Sequence, residues 1–241
     1  MTMSEHTITT EMIDRLPEPA RRYMRWTGVI GKPWIDTVRI RYTGRFRRGI
    51  DQPWLPIRAT QIYTTRSPAF RWQARLSMWG LPLMSGYDRY AQGRGHMYGK
   101  IAGLFTIFDA RGDEIDQGTM LRYLNETTWF PIALLGDNIA WQGVDHNSAD
   151  VTFTDHGKSV TARMTFDATG RPVNFVTRRY RENKGQYTLD TWETPFTEYG
   201  ALGGLNLPVR GQAVWKLAGG DLPYADLTLS SVEYNIPIDA I

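Results

Sequence analysis

The 241-residue sequence contains no cysteine, which removes disulfides, thiolate nucleophiles and zinc–thiolate sites from consideration. No run approaches the roughly 18 consecutive apolar residues of a membrane-spanning helix, so no integral membrane segment is expected. The amino terminus lacks a basic segment followed by an apolar core, and a cytoplasmic location is expected on that ground. Histidine is scarce: His6, His96, His146 and His156 show no ligand spacing, so no metal site is expected. The stretch GYDRYAQGRGHMYGK comes nearest to a phosphate loop. Gly95 stands too close to Gly99-Lys100, Gly93 too far, and Ile101 follows where Ser or Thr is required. Neither a nucleotide nor any other cofactor is expected. No serine sits in a recognisable nucleophile motif, so a hydrolytic triad is unsupported.

What is plentiful is aromatic and basic. Nine tryptophans and a hydrophobic fraction of 41% describe a folded chain with a sizeable core. The 28 basic residues divide into 23 arginines and five lysines, and arginine favours bidentate contacts with anions and stacking on aromatic faces. No nucleic-acid-binding signature accompanies them, so nucleic acid is not an expected partner.

Period-two alternation dominates from Trp34 onward. In WIDTVRIRYTGRFRR, Val38, Ile40, Tyr42, Gly44 and Phe46 share one face, and Arg39, Arg41, Thr43, Arg45 and Arg47 the other. AFRWQARLSM repeats the pattern with Phe70, Trp72, Ala74, Leu76 and Met78 on one side. In TRRYREN, Arg178 and Tyr180 face one way, Arg179 and Arg181 the other. Turn chemistry separates the strands, as at Asp155-His156-Gly157, with no regular helix between most of them. The reading is a mainly β protein: a strongly curved antiparallel sheet or incomplete β-barrel of about eleven strands, with helices covering the concave side. A single domain over 1–241 is expected, with an N-terminal helical segment at 1–30 and a first strand group at 34–109. A helical lid follows at 116–136 and a second strand group at 138–236. Large aromatics on the core faces include Trp72, Trp141, Trp192 and Trp215.

Two stretches look helical. LPEPARRYMRWTG carries Pro19 in a first turn and Gly28 as a stop. The second includes YLNETTWFPIALL, with Asp116 or Thr119 as candidate caps and a break at Pro131, from which a short new helix runs to Gly136.

LPEPARRYMRWTGVIGKP, PWLPIRATQIYTTRSPAFRWQAR, GYDRYAQGRGHMYGKIAGL and RYLNETTWFPIALL together resemble a bacterial domain family of unknown function. The layout also resembles the lipoprotein-localisation (LolA/LolB-like) fold, an incomplete antiparallel barrel closed by helices over an apolar cavity. That resemblance implies binding of lipid or acyl chains; the chain departs from it in lacking a signal peptide and a lipid-attachment cysteine. The same scaffold type also hosts a cofactor-free biosynthetic enzyme.

Two functions are therefore carried forward. The first is binding of an apolar or amphipathic small molecule, with Trp72, Tyr90, Tyr98, Tyr123, Trp129, Phe130, Tyr180 and Trp192 as candidate wall residues. The second is a cofactor-independent enzyme performing acid–base chemistry (cyclisation, isomerisation or elimination) on an aromatic or apolar molecule. Its candidate catalytic residues are Glu126, with Arg122 four residues before it as partner, and an Asp88–His96 pair across a strand ladder. Glu126 either faces the cavity or forms an exposed ion pair on the lid. Nothing in the sequence bears on oligomeric state.

Overall fold

The computed structural model describes residues 7–183, 185–239 and 241; His6 lies outside them. After two short helices, α1 (Thr10–Asp14) and α2 (Glu18–Thr27), six strands run to residue 110. These are β1 (Thr37–Phe46), β2 (Leu55–Thr64), β3 (Ala69–Met78), β4 (Leu81–Ala91), β5 (Arg94–Ile101) and β6 (Phe105–Ala110). Helix α3 (Asp113–Glu126) and two 3-10 turns, Thr127–Trp129 and Pro131–Leu135, come next. Eight strands complete the chain: β7 (Ile139–Asp145), β8 (Ser148–Asp155), β9 (Lys158–Phe166), β10 (Pro172–Asn183), β11 (Gln186–Glu193), β12 (Phe196–Leu202), β13 (Leu205–Leu217) and β14 (Gly220–Tyr234).

All strand pairs are antiparallel, and the order is β6-β5-β4-β3-β2-β1-β14-β13-β11-β10-β9-β8-β7. Each half of the chain is a meander that grows outward from the β1–β14 seam, so β6 and β7 are the two ends of this order. Helix α3 is the covalent bridge between those ends. The sheet curves until its halves meet beneath the helix: Tyr90 on β4 donates to Asp155 on β8 at 2.5 Å. The Asp116 carboxylate of α3 accepts from the Gly95 backbone N–H at 2.7 Å and from Lys158, joining β5, α3 and β9. Gly95 is needed at that point, because a Cβ there would lie 2.7 Å from the Ile115 carbonyl oxygen and lift the helix off the strand.

The alternation on β1 is realised as read: Val38, Ile40 and Tyr42 are buried, and the arginine side is wet. The sheet has fourteen strands among the described residues, against about eleven from turn spacing. One added strand comes from YTLDTWETPFTEY, which divides because Pro195 has no N–H for the ladder. Past that point β12 leaves the main path and pairs with β13 alone.

Helix α2 behaves as its sequence dictates: Pro19 stands in the first turn, and Gly28 closes it in left-handed geometry at φ 74°. It packs through Tyr23 against Phe166, ring centroids 5.4 Å apart. Helix α3 starts earlier than residue 116, with Gly112 at its N-cap. Asp116 caps nothing because its carboxylate is used across the gap to β5 and β9, and the Thr119 hydroxyl donates back to the Ile115 carbonyl. The expected break is present. Phe130 sits at φ −143°, ψ 65°, outside the helical region that a residue before proline avoids, and a short 3-10 turn follows from Pro131 to Leu135.

Candidate functional site

Between α3 and the curved sheet lies a cleft of about 450 Å³. Tyr42, Ile57 and Trp72 line it from the first half of the sheet, and Trp192, Trp215 and Tyr224 from the second. Trp129 and the α3 residues Arg122, Asn125 and Glu126 form its roof.

One end of the cleft is a polar knot centred on Arg122. Its Nε donates to Glu126 Oε1 at 2.8 Å, its Nη2 to Gln61 Oε1 at 3.0 Å, and its Nη1 to Asp88 Oδ2. Glu126 Oε2 accepts from Gln61 Nε2 at 2.7 Å and from the Tyr63 hydroxyl at 3.0 Å. The Arg122 guanidinium lies over the Trp72 ring at 4.7 Å and over Phe70 at 5.1 Å. Every member is almost sealed from water: side-chain exposure is 13% for Arg122, 4% for Asp88 and 7% for Glu126. The spacing of four between Arg122 and Glu126 puts both on one helix face, and β2 and β4 supply the groups opposite.

Charge in this knot is set by burial and by the partners. Burial pushes the Asp88 carboxyl above its ordinary range, only partly offset by Arg122 and then Arg179. For Arg122, burial works against the charge, but Glu126 and Asp88 outweigh it and hold the guanidinium above its usual value. Burial also raises the Tyr42 hydroxyl, to which the Trp72 indole N–H donates. Glu126 is thus held by three donors and acts as an anchor between helix and sheet. Asp88 uses Oδ2 for Arg122, while Oδ1 accepts no hydrogen bond among the described residues and Asp88 borders the cleft.

Of the wall residues expected from the sequence, Trp72, Trp129, Trp192 and the half-exposed Tyr180 border the cleft. Tyr90, Tyr123 and Phe130 do not; they pack in an aromatic core with Tyr63, Phe70 and Phe153. Core burial and not ligand contact accounts for these three. Tyr98 lies on the opposite face of the sheet, bonded to Thr106 at 3.0 Å. The Asp88–His96 pair is not formed. Gln92 and Gly93, at φ 54° and 71°, make a two-residue turn, which sets Asp88 opposite Met97 and Arg89 opposite His96. A turn centred on Arg94 would pair Tyr90 with Tyr98 and keep Asp88 and His96 on one face; the observed turn pairs Tyr90 with Gly95, and a register shift by an odd number of residues moves a side chain to the other face. His96 instead meets Asp109 at 2.8 Å and Arg111 at 3.2 Å on the outer side. Trp141 also stands away from the cleft, its indole donating to the Leu134 carbonyl.

Sequence reading passed over Gln61 and took Arg179, with Arg181, for part of a solvated strand face. Both had a signal: each is a polar side chain in the inward row of an alternating strand, Gln61 among Ile57, Ala59 and Tyr63, and Arg179 after Phe175 and Thr177.

An open, curved antiparallel sheet roofed by a helix over a mixed apolar and charged cleft defines an incomplete-barrel protein. The chain belongs to the family of unknown function DUF6544, whose model matches residues 6–227. No curated protein matches it in sequence. Among solved structures it is similar to a domain from Vibrio parahaemolyticus described as outer-membrane lipoprotein-sorting, at 9% identity and a TM-score of 0.51, covering 94% of this chain and 95% of that one. It is similar also to a DUF1329 family protein from Desulfovibrio piger, at 8% identity and a TM-score of 0.50, covering 95% and 93%. A LolA superfamily protein from Nitrosomonas europaea aligns at 10% identity with a TM-score of 0.47 over 96% of each chain. The first two establish a shared fold: a large antiparallel sheet, not closed into a barrel, with helices.

Proposed function

We propose that the protein binds an apolar or amphipathic small molecule in the cleft between the sheet and α3. The observation that carries this is the cleft itself. Its volume of about 450 Å³ falls within the roughly 300–1,000 Å³ typical of small-molecule sites. Four indoles, of Trp72, Trp129, Trp192 and Trp215, border it. The fold shared with a lipoprotein-sorting domain supports the same reading.

The uncharged probe 1-N-phenylnaphthylamine tests it by fluorescence titration. The expected result is saturable binding to one site, weakened at least tenfold by Ala213→Trp, which fills the cleft from β13. Non-saturable emission, or equal binding by the folded Ala213→Trp variant, counts against the proposal.

A second reading, acid–base catalysis without a cofactor, rests on Asp88 and no longer on Glu126. Asp88 is a buried carboxyl of raised pKa that borders the cleft with one oxygen uncommitted. Mass analysis of a bound molecule recovered after incubation separates the two: an altered molecule favours catalysis, an unchanged one favours carriage.

A further inference from the structure

Among the described residues, Arg179, on β10, is the one cleft-lining arginine whose guanidinium is buried without a carboxylate partner. Only 8% of the residue is exposed, and it meets no carboxylate within ion-pair distance among the described residues. The cation lies over the Trp192 ring at 4.7 Å and over Trp215 at 5.8 Å. Its Nε has no hydrogen-bond partner and is roofed by Gly118 of α3, where a Cβ would stand 3.4 Å away. Its Nη1 reaches only the Tyr224 hydroxyl, at 3.5 Å. Asp88 feels this charge, but its ion pair is with Arg122 and not with Arg179.

A buried ion without a counter-charge is costly, and most side chains escape the cost by changing protonation. Arginine cannot, because its guanidinium stays protonated under all conditions in which proteins fold. Stacking on two indoles offsets part of the cost and fixes the plane of the fork. The compensation still missing is an anion in the plane of Nη1 and Nη2, on the cleft side.

We infer that the cleft is selective for ligands with an anionic head group, a carboxylate or a phosphate monoester, held by the Arg179 fork between Trp192 and Tyr224, with an apolar tail toward Trp72 and Trp129. This deepens the binding proposal above and depends on it. The Arg122 guanidinium differs from that of Arg179 in being ion-paired, to both Asp88 and Glu126, so it positions the helix and leaves anion recognition to β10.

The test is competition against 1-N-phenylnaphthylamine by three twelve-carbon compounds: dodecan-1-ol, dodecanoate and dodecyl phosphate. For the native protein, at least one of the two anions is expected to displace the probe at about tenfold lower concentration than the alcohol, as a charge-assisted bidentate contact requires. Whichever anion is preferred identifies the head group. In Arg179→Met that preference should vanish while the alcohol competes as before, and Arg179→Lys should restore part of it. Equal competition by alcohol and both anions in the native protein overturns the inference and leaves the binding proposal standing. So does a preference that survives Arg179→Met. Failure of the native protein to bind the probe or any of the three compounds instead overturns the binding proposal, and the inference with it. If Arg179→Met does not fold, the native comparison and Arg179→Lys still decide.

Discussion

Replacing Arg122 with methionine is expected to lower the free energy of unfolding by about 3–5 kcal/mol at neutral pH, the usual loss when one partner of a buried ion pair is deleted. Methionine matches the length of the stem and keeps contact with Trp72 and Phe70, so the loss reports the charge. Without the guanidinium, Asp88 and Glu126 face each other as buried carboxylates, and Gln61 loses the donor to its Oε1. The pH dependence has a definite sign. The Asp88 carboxyl is already raised by burial, and Arg122 is the first counterweight. Removing it raises that carboxyl further. A carboxyl raised in the folded state stabilises fully below its unfolded value, near 3.9, and that contribution is lost as pH rises through the folded value. The deficit of Arg122→Met should therefore be largest near neutrality and shrink as pH falls toward 4. Urea denaturation at several pH values measures it. A deficit below about 1 kcal/mol, the size of an exposed pair, or one independent of pH, refutes the role of Arg122 as the centre of the knot.

Phe130→Ala is expected to cost a comparable amount, about 3–5 kcal/mol, through a different mechanism. Phe130 is fully buried; its ring lies 4.6 Å from Tyr63 and 6.0 Å from Tyr123. It also occupies the position before Pro131 where the roof turns from α3 into its second 3-10 turn. Truncation opens a void against rings that are themselves tied down, Tyr63 to Glu126 and Tyr123 to the Thr64 carbonyl, so little collapse can refill it. Because Phe130 does not border the cleft, the folded variant should bind 1-N-phenylnaphthylamine as the native protein does. Weakened binding with native stability returns Phe130 to the cavity wall, where the sequence first suggested it.

That difference between core and wall marks the limit of what the sequence carries. Alternation along β1 and β3 states which residues face inward, and the structure agrees for Tyr42 and Trp72. Inward is not yet cavity-facing. Tyr90 and Trp72 stand in equivalent inward rows of neighbouring strands, yet Tyr90 meets Asp155 across the closed end while Trp72 meets open space. Only the meeting of the two half-sheets decides this, and it rests on pairings between residues 65 or more apart in sequence. The Asp88–His96 misplacement has a smaller cause: the turn is centred between Gln92 and Gly93 and not on Arg94, a change of register that single-strand alternation does not reveal. Glu126 with Arg122 was legible because helical spacing is local. What Glu126 does was not, because Gln61 and Tyr63, which hold its second oxygen, lie more than 60 positions away on β2. Helix α3 also escapes a simple stripe reading. Both arms of the sheet press on it, so it buries Ile115, Gly118, Tyr123 and Glu126 alike, and its apolar residues do not segregate to one side.

The most direct test of the account is a crystal structure of the protein grown with dodecanoate. The account predicts one molecule beneath α3, its alkyl chain running toward Trp72 and Trp129 and its carboxylate within about 3 Å of the Arg179 fork, as a charge-assisted hydrogen bond demands. A cleft filled by protein side chains, or dodecanoate bound elsewhere while the space beneath α3 stays empty, would contradict it.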